Sequence, residues 1–124
     1  MFYRINGEVF RRLLALDHGA WVISYDEPGP PRYIENSLLE SCEKADMPED
    51  YRIALEQAKY LTRAGIKRLA LIEPLLEDSS CITDKKFRLD MAKRIAKENG
   101  TTKKRVLRIF YRYLARNVLL EKGN

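Results

Sequence analysis

The chain has 124 residues, 45% hydrophobic and 33% charged, enough for one ordinary domain or two small modules and too apolar for wholesale disorder. No apolar run approaches the ~20 residues that cross a bilayer, and the opening Met-Phe-Tyr-Arg-Ile-Asn-Gly-Glu carries charge where a secretory leader needs an apolar core, so a cytoplasmic protein with no membrane partner is expected. The net charge of +5 is unevenly spread: −5 over residues 1–50, +1 over 51–80 and +9 over 81–124, which suggests an acidic and a basic module with different tasks.

Phe2-Tyr3-Arg4-Ile5 is β-prone, and Asn6-Gly7 behind it is a strong hairpin signal. Val9 to Leu16 continues as a second strand, Asp17-His18-Gly19 turns, and Ala20 to Tyr25 is a third strand rich in aromatic and β-branched residues. Pro28, Pro30 and Pro31 end the ladder, because proline cannot donate to it. Tyr33-Ile34 is a candidate edge strand. Ser37 is the candidate cap of a short helix from Leu38 to Ala45. Residues 1–46 then read as a small antiparallel β-meander of the SH3-like kind with a short helix, and the fold class is α+β.

Asp46 to Asp50 is a linker or helix start, and residues 47–124 form the second, helical module. Ile53, Leu55, Ala58 and Leu61 follow one helix face. Gly65 weakens that helix, Ile66 to Ile72 resumes it, and Pro74 is expected to kink or restart it. Thr83-Asp84 caps a helix whose Phe87, Met91 and Ile95 are spaced by four, with Ala92 and Ala96 beside them. Asn99-Gly100 stops it, and Thr101 or Thr102 caps the next, with Val106, Ile109, Phe110, Tyr113 and Leu114 as its buried stripe and fraying from Asn117.

Two helices of this kind, joined by a tight turn and packed on residues 66–77, make a trihelical helix-turn-helix unit. On the second helix Lys104, Arg108, Arg112 and Arg116 recur every four residues and line one stripe. Like charges so placed repel, and no acidic residue follows until Glu121. A cation row maintained against that repulsion suits a phosphate-lined groove better than a solvated face, which usually mixes signs. Thr101 and Thr102 offer hydroxyls and unbonded N–H groups at the positive helix end. Thr102, Lys103 and Arg105 are the candidates for base edges, and Lys85, Lys86 and Arg88 for phosphate anchors. The partner so implied is double-stranded DNA.

Other signals are weaker. Trp21, Tyr25 and Phe10 suit a small core better than an aromatic binding platform. His18 reads as a turn residue. Asp26, Glu27, Glu35 and Glu40 sit on nothing that would fix them as a catalytic or metal-binding set. Two cysteines, Cys42 and Cys81, and one histidine are too few for a disulfide scaffold or a zinc site. No phosphate-binding loop or hydrolase motif is present, so neither an active site nor a cofactor is expected.

The order of elements resembles the N-terminal region of the TnsB-type transposases, relatives of the Mu transposase and retroviral integrases. The segments that carry it are Ile82-Thr83-Asp84-Lys85-Lys86-Phe87-Arg88 leading into Met91 to Asn99, then Thr101-Thr102-Lys103-Lys104-Arg105-Val106 and Tyr111-Arg112-Tyr113-Leu114-Ala115-Arg116-Asn117. The early Ile-Asn-Gly-Glu-Val and Arg-Leu-Leu-Ala-Leu-Asp stretches are similar to the family's opening strands. The resemblance implies sequence-specific binding at transposon ends, nucleoid association in a bacterium, and other transposition proteins as further partners. It also implies that the strand-transfer chemistry, with three carboxylates and Mg2+, belongs to an integrase-like catalytic core outside this chain, which is then a fragment and no enzyme itself. The competing readings are a stand-alone helix-turn-helix transcriptional regulator and an interaction adaptor docking on an acidic partner protein.

Overall fold

The computed structural model describes residues 1–57 and 62–119. The fold is α+β: strands β1 (Phe2–Ile5), β2 (Glu8–Ala15), β3 (Gly19–Ser24) and β4 (Arg32–Glu35) lead through the short helix α1 (Asn36–Ser41) to β5 (Glu43–Ala45). Helices α2 (Glu49–Gln57), α3 (Arg63–Leu76), α4 (Ser80–Thr83), α5 (Lys85–Glu98) and α6 (Lys103–Arg116) follow. The five strands form one antiparallel sheet in the order β4-β3-β2-β1-β5.

Asn6 (φ 52°) and Gly7 (φ 81°) both occupy the left-handed region. That geometry matches the twist of the flanking strands and sets Ile5 opposite Glu8. The β2–β3 register slips between Arg12 and Leu14, a bulge that bends the strand and leaves Leu13 against the helical core. Strand β5 was not expected. The sequence reads residues 38–45 as helix, yet α1 ends at Ser41 and Cys42 turns extended. The helix begins after Glu35, with no side-chain cap, so Ser37 does not serve as its cap. A six-residue helix without a cap is marginal, whereas Glu43–Ala45 gains a ladder along the open edge of β1, pairing Phe2 with Ala45 and Arg4 with Glu43.

In the helical part, Thr62 Oγ1 accepts the Gly65 N–H at 3.0 Å, so the glycine lies in a capped first turn rather than at a break. Pro74 lies inside α3 two residues before its end, where it forfeits one bond, and the Glu77 N–H still reaches Glu73 O at 3.1 Å. Ala58 and Leu61, expected on the face of the preceding helix, lie outside the described residues.

The main core joins Ile72 and Leu75 of α3, Cys81 of α4, Ala92, Ile95 and Ala96 of α5, and Val106, Ile109, Phe110 and Leu114 of α6. Ile23 of β3 belongs to the same cluster, so sheet and helices share one interior. A second cluster stacks Phe2 edge-on against Tyr25 and Tyr51, the last contributed by α2. The expected division at 46/47 therefore does not separate the cores. A third cluster, Tyr3, Phe10 and Val22, fills the other side of the sheet beneath Leu39 of α1. On α5 Ala92, Ile95 and Ala96 are inside and Met91 packs against them as expected, but Arg88 is buried in place of Phe87, which is 36% exposed.

Gly19 is set by close approach. A Cβ there would collide with Ile34 O and stand 2.6 Å from Tyr33 Oη. Gly19→Ala should therefore cost about 1–3 kcal/mol, read as a lower urea midpoint at unchanged slope.

Candidate nucleic-acid interface

Helices α5 and α6 each begin on a side-chain cap. Asp84 Oδ1 accepts the Phe87 N–H at 3.1 Å, and Thr102 Oγ1 accepts the Arg105 N–H at 3.1 Å. Between them the chain turns in four residues. Asn99 closes α5 with its N–H on Ile95 O, Gly100 takes φ 64°, and the Thr101 N–H returns to Ala96 O at 3.0 Å. Only a residue that tolerates the left-handed region fits at position 100.

Helix α6 is buried at Val106, Ile109, Phe110, Tyr111, Leu114 and Ala115. Tyr111 is deeper than Tyr113, which the sequence placed in the stripe. What remains outside is concentrated at the helix start: Thr102, Lys103, Lys104 and Arg108 are exposed, and Thr101, Arg105 and Arg112 are half-buried. Lys85 and Lys86 at the start of α5 are exposed as well.

Two of the expected DNA contacts are withdrawn. Arg116, the last member of the cation row, turns onto the sheet: its Nε donates to Tyr25 O and its Nη2 to Asp26 O, each at 2.7 Å, and its guanidinium stacks 5.1 Å from the centre of the Tyr25 ring. Arg88 is only 3% exposed. Its Nη1 reaches Cys81 O and Ile82 O at 3.3 Å, the end of α4, and its guanidinium lies 5.8 Å from the Tyr111 ring centre. It holds three helices together and has no path to a phosphate. Its Nε is buried without a hydrogen-bond partner among the described residues.

One participant escaped the sequence reading. Arg11 of β2 donates through Nη1 to Leu114 O in the last turn of α6, and its guanidinium sits 5.1 Å from the Tyr51 ring centre. An arginine on a strand that serves a carbonyl 103 residues away leaves no local signature.

The weaker candidates have structural duties. Phe10 and Tyr25 are core residues, and Trp21 tilts against Tyr33 at 5.7 Å. Asp26 Oδ2 accepts the Val9 N–H at 3.0 Å, and His18 O accepts the Asn36 N–H in a turn. Among the described residues, no three His, Cys, Asp or Glu side chains converge as a metal site, and no helix is long and apolar enough to cross a membrane.

Burial pushes the Tyr111 hydroxyl above its ordinary pKa, with the Arg88 charge pulling the other way. Burial, with help from Asp78, does the same to the Cys81 thiol, again against Arg88. Both groups are therefore neutral in the fold. A raised folded-state pKa contributes stability that is whole below the unfolded value and is lost as pH rises through the folded one. No protein-family model matches the chain, and no curated protein matches it. The free energy of unfolding should fall as pH rises above about 8, where the unfolded groups begin to ionise, and Tyr111→Phe should flatten part of that decline in denaturant titrations.

Proposed function

We propose that this chain binds double-stranded DNA, as the end-binding region of a TnsB-type transposase. In this reading α3, α5 and α6 form a trihelical helix-turn-helix module, and the five strands with α1 an SH3-like support. One observation carries it: the first two turns of α6 leave Thr102, Lys103, Lys104 and Arg108 exposed while the opposite face is locked into the core. From residue 85 to residue 108 ten Lys and Arg stand against only Asp90 and Glu98. The order of helix, four-residue turn and capped basic helix supports the same reading.

The start of α6 enters the major groove. Thr102, Lys103, Lys104, Arg105 and Arg108 face base edges and nearby phosphates, with Arg112 at the margin. The Thr101 N–H, expected to be open, is taken by Ala96 O, so the positive end of the helix, where phosphate oxygens are favoured, begins at Thr102. Lys85 and Lys86 grip the backbone and fix register without reading sequence. The chain's own part is recognition; cutting and joining belong to an integrase-like core elsewhere in the parent protein.

Fluorescence anisotropy with a labelled random-sequence duplex, repeated over a potassium chloride series, tests this. Lys85, Lys86, Lys103, Lys104 and Arg108 together should give a log–log slope of about −4.5, from about −0.9 per neutralised phosphate. Replacing Lys103 and Lys104 together by Gln should reduce its magnitude by about 2. Absence of duplex binding at low salt, or binding indifferent to that double change, would remove the proposal. Retention of an acidic partner protein by the same face under those conditions would favour the adaptor instead.

A further inference from the structure

We infer that Arg116 and Arg11 are positioning residues of the DNA interface: a two-way clamp through which the acidic sheet sets the angle at which α6 meets the duplex. The inference rests on the DNA-binding reading and extends it to the β-rich half of the chain, which that reading leaves without a task beyond support.

The clamp is reciprocal. Arg116 runs from helix to sheet and bonds two successive carbonyls, Tyr25 O and Asp26 O, in the two residues that follow β3. Arg11 runs from sheet to helix and bonds Leu114 O, one of the α6 carbonyls near the end of the helix. The two arginines stack on rings from the same aromatic cluster, Tyr25 and Tyr51, which Phe2 joins edge-on. The planar guanidinium is suited to this work, because its rigid fork bonds two acceptors while its face lies on a ring, whereas an ammonium is a compact, strongly hydrated point charge without that fixed geometry. Asp26 fixes the loop in turn, its carboxylate accepting the Val9 N–H from β2.

The clamp grips the end of α6 opposite to its exposed cations. The helix is therefore held at its C-terminus by the sheet and along its side by α3 and α5, and it presents its N-terminus outward. A small rotation at the clamp displaces Lys103 and Lys104 by a full helix length of leverage. Contacts to base edges depend on that alignment; general attraction to phosphates does not.

The test uses the whole chain, a duplex selected by the unaltered protein from a random pool, and a random-sequence duplex of equal length. Arg116→Lys, Arg116→Met and Arg11→Met are compared with Lys104→Met, and folding of each is checked by circular dichroism at the binding temperature. The Arg116 and Arg11 variants should lose about tenfold in affinity for the selected duplex. Their affinity for the random duplex and their salt slope should stay as in the unaltered chain, whereas Lys104→Met should lower the slope by about 1. Arg116→Lys keeps the charge, so its loss separates geometry from electrostatics, and it stands in should Arg116→Met fail to fold. A slope lowered by about 1 in Arg116→Met would make the residue a phosphate contact and overturn the inference. Unchanged preference for the selected duplex in all three variants would overturn it as well. An unaltered chain that binds no duplex fails at the earlier step, and the DNA-binding reading falls together with this one.

Discussion

Helix α6 has to be buried on most of its circumference, and the rest of the molecule is arranged to do it. Val106, Ile109, Phe110, Leu114 and Ala115 are nearly or wholly inaccessible, and they draw on α3, α4, α5 and β3 at once. Each fully buried aromatic or branched side chain contributes about 1.5–3 kcal/mol relative to exposure. No other described helix has as many. The sheet, the α5 turn and the position of α4 are explained as ways of bringing apolar surface to this one cylinder. The strip left over is polar and carries Thr102, Lys103, Lys104 and Arg108.

Cations show the same economy. A row of four positive side chains on one helix is unfavourable while all four face water together. Arg116 escapes the row by turning onto carbonyl oxygens and a tyrosine ring. Arg88 is used similarly, its charge spread over the terminal carbonyls of α4 and the face of Tyr111. The guanidinium groups of Arg11, Arg88 and Arg116 act as bolts between elements, while Lys85, Lys86, Lys103 and Lys104 stay at the surface with Arg108. That division follows from chemistry, since the weakly hydrated, forked guanidinium is cheaper to bury than an ammonium.

Much of this was legible in the residues. Asn6-Gly7 determines a turn by itself, Asp84 and Thr102 announce helix starts, and Gly100 marks a stop, because each is a local rule with a local cause. The α+β class and the helix pair follow from such signals. What was not legible depended on partners far along the chain. Strand β5 exists because β1 offers an open edge some forty residues earlier, and three residues of sequence carry no trace of that. The spacing of Phe87, Met91 and Ile95, with Ala92 and Ala96 beside them, found the buried side of α5 except at Phe87, since the pattern could not show that Arg88 would take its place inside. The same limit hid Arg11 and misassigned Arg116. An arginine reads as a surface charge until the carbonyl it serves is known.

The bond from Arg11 to Leu114 also has a consequence for biosynthesis. The chain emerges from the ribosome strand-first, and the sheet can pair locally through its tight turns. Ile23 and Leu13 nevertheless wait uncovered until α6 arrives, some ninety residues later. During that interval this face of the sheet lacks the helix that covers it in the finished fold. Apolar surface left open in this way is what makes a partly made chain prone to aggregate.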